Sequence, residues 1–138
     1  MAGSIFVNGT FDVLHPGHIR LLTYAKSLGI RLFVAIDSDR RVKELKGYNR
    51  PINSATERKE MLLALKPVDE VEIFDTNEEL CMWIKQIRPH IMVVGSDYKD
   101  KDVIGREFAK HLIFYDRIPE YSTTSKIQDI ANRGLLYR

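Results

Sequence analysis

Five short apolar runs punctuate this chain at wide intervals: SIFVNG (4–9), RLFVAI (31–36), VEIF (71–74), IMVVG (91–95) and LIFY (112–115). They are nearly continuous rather than alternating, the pattern of strands buried on both faces of a parallel sheet. Between them, apolar residues return at helical spacing. Residues 16–28 carry Ile19, Leu22, Ala25 and Leu28, with Gly29 as a stop. SATE (54–57) has capping-box form ahead of Met61, Leu62 and Leu65, which predicts a helix to Leu65, before Pro67. Asp37 and Asp39 are placed to cap a helix bearing Val42 and Leu45. Asn77 is placed to cap a helix carrying Leu80, Cys81, Ile84 and Ile87, ending before Pro89. A last helix is expected from STTSK (122–126), with Ile127 and Ile130. Strands alternating with helices predict an α/β fold with right-handed crossovers. The expectation is a single Rossmann-like domain over residues 1–138, a doubly wound parallel five-stranded sheet with helices on both faces.

A chain of 138 residues fits one domain. At this size roughly two-thirds of the unfolded surface is buried, so no disulfide or structural metal is needed. The net charge of +2 is too slight for a nucleic-acid footprint, which excludes that partner. Cys81 is the one cysteine, so no intrachain disulfide is possible and a reducing, cytoplasmic setting is expected. The opening MAGSIFVNG lacks the basic and long apolar regions of a signal peptide. No apolar run approaches the ~20 residues of a membrane span.

The chemistry concentrates after the first strand, in NGTFDVLHPGHIRLL. Pro16 suits the first position of a helix because it has no amide hydrogen to leave unpaired. His15 then stands at the cap and His18 in the first turn, near free amides and the positive end of the helix dipole. Gly17, with no side chain, lets a phosphate approach the backbone, and two imidazoles can donate hydrogen bonds as phosphoryl charge develops. A metal is less well served, since no nearby cysteine or third histidine completes a tetrahedral set. His90 and His111 belong to other segments and read as strand-flanking. The stretch KELKGYNRPINSA (43–55), basic and rich in turn formers, reads as a loop beside the carboxyl edge of the sheet.

GTFDVLHPGH resembles the signature of the nucleotidylyltransferase superfamily, whose members have cytidylyltransferase-like folds and an HxGH motif. KGYNRPIN, ERKEMLLALKPVDEV, VVGSDY and VIGREF look most like the adenylyltransferase domain of bacterial ADP-heptose synthase. STTSKI is shared with that family and with glycerol-3-phosphate cytidylyltransferases. The resemblance implies transfer of a nucleotidyl group, with ATP or CTP, to a phosphorylated small molecule, and release of pyrophosphate. It also implies magnesium bound with the triphosphate, and a homodimer. Heptose-type enzymes often carry a sugar kinase on the same chain; none is seen here, so that step is expected of a separate protein.

Carried over residue by residue, the resemblance makes His15, His18 and Lys46 catalytic. It implies nucleotide contacts at Gly9, Thr10, Phe11, Gly17, Gly95, Asp97 and Arg117, and at Ser122, Thr123 and Thr124 for the β- and γ-phosphates. Acceptor contacts are implied at Asp12, Asp39, Lys46, Arg50 and Arg58. Asp12 reads first as a brace for its loop, with a magnesium contact as the alternative. Asp39 reads as a ligand for acceptor hydroxyls or a helix cap. Arg58 reads as a phosphate ligand or a partner of Glu57. Two departures stand out. GSDY replaces the usual GGDY, placing Ser96 where glycine is common, and RIPEYS replaces RTEGIS, placing Pro119 and Glu120 near the base-reading segment. A non-catalytic nucleotide-binding protein is the further alternative, weakened by the presence of both histidines and Lys46.

Overall fold

The structure is a computed structural model that describes residues 3–116 and 123–136. Its strands are β1 (Ser4–Gly9), β2 (Arg31–Asp37), β3 (Glu70–Phe74), β4 (Ile91–Gly95) and β5 (His111–Tyr115). Its helices are α1 (Pro16–Ser27), α2 (Asp39–Lys46), α3 (Ala55–Leu63), α4 (Asn77–Ile87) and α5 (Thr123–Leu136). The strands form one sheet in the order β3-β2-β1-β4-β5, every pair parallel. This is the Rossmann-like α/β architecture expected.

The near-continuous apolar runs follow from burial on both sides. Ile5 and Val7 face one layer with Leu32, Val34 and Ile36, against Leu22 and Ala25 of α1 and Leu62 of α3. Phe6 and Ala35 face the other, with Met92, against Leu80 and Ile84 of α4. Successive strand residues point to opposite faces, so both registers of each run must be apolar.

Local chemistry sets the helix ends. The Ser54–Glu57 capping box forms in both directions: the Glu57 amide donates to Ser54 Oγ at 3.2 Å and the Ser54 amide to Glu57 Oε1 at 2.8 Å. That helix stops at Leu63, two residues short of the expected end. Ser38, not Asp37 or Asp39, caps α2, accepting from the Arg41 amide at 3.2 Å. Thr76, not Asn77, caps α4 at 3.1 Å. Gly29 stands just past the Leu28 cap of α1, where the stop was expected, and it has a second role. A Cβ there would lie 2.3 Å from the Gly3 carbonyl oxygen and 2.7 Å from Ile5 Cδ1, so that role is close approach of two backbones.

A charged group guards the amino end of β2. Asp69 accepts from the Leu32 amide at 2.7 Å and pairs with Lys26. Partial burial opposes ionisation of Asp69, but the Lys26 and Leu32 hydrogen bonds outweigh it and hold the carboxyl below its ordinary value.

Two outcomes follow. Gly29→Ala should lose about 1–3 kcal/mol in denaturant unfolding, because the obstructing atom is backbone and the core is close-packed. Asp69→Asn should lose about 1 kcal/mol at neutral pH. The native carboxyl ionises more readily than the unfolded one, so this gap should be constant above about pH 5 and close as pH falls through 4 and below. Unfolding curves of both proteins across that range check the sign.

Candidate active site

In an open parallel sheet, ligands collect at the carboxyl edge where strand order reverses. Here that point lies between β1 and β4. The chain leaves β1 at Gly9 through a turn, residues 10–15, that ends at the first turn of α1. Phe11 and Val13 both take left-handed backbone, at φ +53° and +49°. For a bulky and a β-branched residue this is strained geometry, of the kind that concentrates at functional sites. Phe11 is buried, its ring 5.3 Å from that of His18 at a 52° tilt. A Cβ on Gly9 would lie 3.0 Å from the same ring.

His15 and His18 form a reciprocal cap. His15 Nδ1 accepts from the Gly17 amide at 3.0 Å, and His18 Nδ1 accepts from the His15 amide at 3.2 Å. The rings stack with centroids 3.9 Å apart, 23° from parallel. A ring nitrogen that accepts an N–H carries no proton, so each imidazole bears its hydrogen on Nε2. This refines the expectation of free amides at the helix start. Pro16 has none, Gly17 is engaged by His15 Nδ1, and the His18 amide donates to the His15 carbonyl at 3.0 Å. Donors for an anion are therefore supplied by two imidazole Nε2–H groups at the positive end of α1.

Two residues that the resemblance placed at the acceptor are held by the protein itself, Asp12 in keeping with the bracing role read for it. Asp12 is 1% exposed, and its carboxylate accepts the amides of Ile52 at 2.7 Å and Asn53 at 2.8 Å. Arg58 is 0% exposed: Nε donates to the Asn53 carbonyl at 3.0 Å, Nη1 to the Thr10 carbonyl at 2.9 Å and Nη2 to Asp39 Oδ1 at 2.9 Å. Neither side chain presents a polar group to an acceptor in this geometry; burial and protein partners account for both. Arg58 bonds Asp39, not the Glu57 beside it in sequence.

The remaining expected residues divide by position. Thr10 donates its hydroxyl to Asp37 Oδ2 at 3.0 Å, and Asp37 Oδ1 accepts from Arg41 Nε at 2.8 Å. The Thr10 hydroxyl proton is thus engaged by protein. Asp39 Oδ1 also accepts from the Ala55 amide at 2.8 Å, tying α2 to the start of α3. Lys46 is exposed at the end of α2, next to Gly47 at φ +108°. Arg50 is 7% exposed, its Nε 3.7 Å from Asp12 Oδ2, and its buried Nε and Nη2 make no hydrogen bond. Such a buried cation favours an anion nearby. Gly95 ends β4, and Asp97 lies exposed in the 3₁₀ turn Ser96–Tyr98 that follows. Thr123 and Thr124 begin α5. Arg117 and Ser122 lie outside the described residues.

Sequence reasoning missed Asp37 and Asn53 as parts of the site. The signal for Asp37 was present, an acidic residue at the carboxyl end of a buried strand. Asn53 acts through its backbone and left none.

A parallel α/β domain with two stacked imidazoles capping the helix at its switch point is a domain of the nucleotidyltransferase class. The chain belongs to the cytidylyltransferase-like family, whose model matches residues 6–128. It is 48% identical over 126 residues to bifunctional protein HldE of Campylobacter fetus, covering 91% of this chain and 27% of that protein. HldE of Sulfurimonas denitrificans is 48% identical over 128 residues, covering 91% and 26%. The chain thus spans about a quarter of the length of these relatives. The fold is shared with the lipopolysaccharide core biosynthesis protein of Thermoplasma volcanium, at TM-score 0.68 and 22% identity, covering 83% of this chain and 98% of that one. Pantothenate synthetase of Thermus thermophilus also shares it, at TM-score 0.60 and 14% identity, covering 84% and 56%.

The double duty of His15 separates stability from chemistry. His15→Ala should cost about 1 kcal/mol of stability through loss of the cap, whereas His15→Asn, a strong cap former, should recover most of it. Denaturant unfolding of the two variants checks this. Asparagine should restore folding without restoring turnover, because it has no Nε2–H to offer.

Proposed function

We propose that this domain transfers a nucleotidyl group, from ATP, to a sugar phosphate such as heptose 1-phosphate. The observation that carries the reading is the reciprocal histidine cap, two N–H donors held at one helix N-terminus beside the switch point. The resemblance of KGYNRPIN, VVGSDY and VIGREF to the adenylyltransferase domain of ADP-heptose synthase supports the substrates, as does the identity to HldE.

An acceptor phosphate oxygen attacks the α-phosphorus in line; the bond from that phosphorus to the bridging oxygen breaks, and pyrophosphate departs. No covalent enzyme intermediate and no strong general base are required, because the phosphate is already ionised at neutral pH. His15 and His18 donate to phosphate oxygens as charge develops, and Lys46 and Arg50 hold the acceptor phosphate. Gly9, Gly95 and Asp97, with Arg117, Ser122, Thr123 and Thr124, take the nucleoside and the outer phosphates.

Among the described residues no cluster of three or more His, Cys, Asp or Glu is placed to hold a metal ion, and Asp12 is engaged by two amides. Magnesium therefore fits as a companion of the triphosphate, held chiefly by phosphate and water, where it neutralises charge. Among the described residues no helix is long and apolar enough to cross a membrane. Cys81 as the one cysteine supports a reducing, cytoplasmic setting, and the family resemblance supports a homodimer. CTP with glycerol 3-phosphate is the second reading, favoured by GTFD and Arg117.

Pyrophosphate release with ATP or CTP, each crossed with heptose 1-phosphate and glycerol 3-phosphate in magnesium, separates these. Release with ATP and the sugar phosphate alone is expected; release with CTP and glycerol 3-phosphate would establish the second reading. Silence from a folded protein would leave a nucleotide-binding domain without catalysis. In the active pair, His18→Ala should lower turnover at least ~10²-fold, the scale of one transition-state donor.

A further inference from the structure

The segment between α2 and α3 is gripped at one residue from two directions. The Asn53 amide donates to Asp12 at 2.8 Å, and the Asn53 carbonyl accepts from Arg58 at 3.0 Å. Asp12 also takes the Ile52 amide at 2.7 Å, while Arg58 reaches the Thr10 carbonyl at 2.9 Å. The two side chains thus join residues 52 and 53 to Thr10 and Asp12, on either side of the left-handed Phe11. These contacts bridge long stretches of sequence, with separations of 40, 41 and 48.

From this we infer that Asp12 and Arg58 are positioning residues that lock the 47–54 segment to the histidine turn, so that the two move as one unit. Buried ions are poor stabilisers; apolar residues of similar volume often fold better. What opposite charges give here is direction. A carboxylate selects the Ile52 and Asn53 amides, and a planar guanidinium fork selects the Asn53 and Thr10 carbonyls on two different segments at once. Asp39 neutralises Arg58 and also holds the Ala55 amide, so the brace reaches the start of α3. Strained backbone at Phe11 and Val13 persists because the flanking contacts over-determine it. Resting on the function proposed above, the unit sets the spacing between the nucleotide phosphates at His15 and His18 and the acceptor phosphate at Lys46 and Arg50. A triphosphate seated on the histidines then tightens the basic segment before the acceptor arrives.

Amide hydrogen exchange on the full chain tests this, in wild type, Asp12→Asn and Arg58→Lys. Asp12→Asn keeps one acceptor oxygen and replaces the other with an amide donor. It should release one of the Ile52 and Asn53 amides, speeding its exchange at least about tenfold. Arg58→Lys keeps the charge and loses the fork, and should speed Asn53 exchange on a similar scale. Amides of α4 and β4 should be unchanged in both. Magnesium-ATP, and magnesium-CTP as a second probe, should slow exchange at Ile52 and Asn53 in wild type but not in Arg58→Lys. In steady-state kinetics both variants should lower kcat at least about tenfold with the nucleotide KM nearly unchanged, since the lost function is alignment. Unaltered exchange at residues 52 and 53 in both variants would overturn the inference. So would acceleration spread through α4 and β4, or nucleotide protection that survives in Arg58→Lys. If neither nucleotide binds wild type, the proposed function fails, and the exchange of the unliganded proteins still decides the brace.

Discussion

The parallel pairing of β1 with both β2 and β4 governs the rest of the molecule. A parallel neighbour cannot be reached by a tight turn, so each connection must cross a face of the sheet. Sequence order runs outward from β1 through β2 to β3, then returns to β4 on the other side of β1. The crevice above β1 and β4 is therefore the one place where chain segments part rather than cover the sheet edge. The turn leaving β1 there runs directly into the first turn of α1. The histidine pair stands at that opening because α1 must begin there.

Within the opening, charge is arranged for direction more than for stability. Asp12, Arg50 and Arg58 are at least nine-tenths buried, in a domain otherwise stabilised by two apolar layers. By contrast, the Arg40–Glu44 pair lies with both side chains more than half exposed, where solvent screening leaves it little to contribute. Arg40 also bonds Asp75, and that contact with the Ser38 hydroxyl holds Asp75 below the usual carboxylate range. The surface ions are replaceable; buried Asp12 and Arg58 are matched to named partners.

The fold was legible because its main determinant is periodic and local. Both-face burial demands unbroken apolar runs, and all five were visible. Caps were less so where several candidates stood together. In IDSD and DTN a carboxylate or amide competes with a hydroxyl, and Ser38 and Thr76 win in the positions from which they accept the Arg41 and Glu79 amides. The histidine pair was visible as a site, yet its reciprocal bonding was not, because the reading assigned the helix amides to a ligand. Asp12 was legible as a brace for its own loop, but neither its grip on residues 52 and 53 nor the bracing role of Arg58 was. The contacts that tie them across the site run to main-chain atoms 40 to 48 residues away, and a backbone amide or carbonyl has no letter in a sequence.

Why imidazoles occupy the cap follows from their having two nitrogens. A serine cap would satisfy an amide and offer an anion little beyond its own reach. An aspartate cap would satisfy it and repel the anion. A neutral imidazole accepts the helix amide on Nδ1 and presents N–H at Nε2, so the positive end of the helix is carried outward across the ring. The His-Pro-Gly-His order then has a mechanical reason at each place. His15 caps, Pro16 enters without an amide to satisfy, and Gly17 supplies the amide that His15 accepts. His18, three residues on, is the position from which a first-turn side chain reaches back to the cap amide. Moving either histidine by one residue would break the bond its own ring accepts and turn the rings out of their stack, so the spacing is set by helix geometry before any substrate is considered.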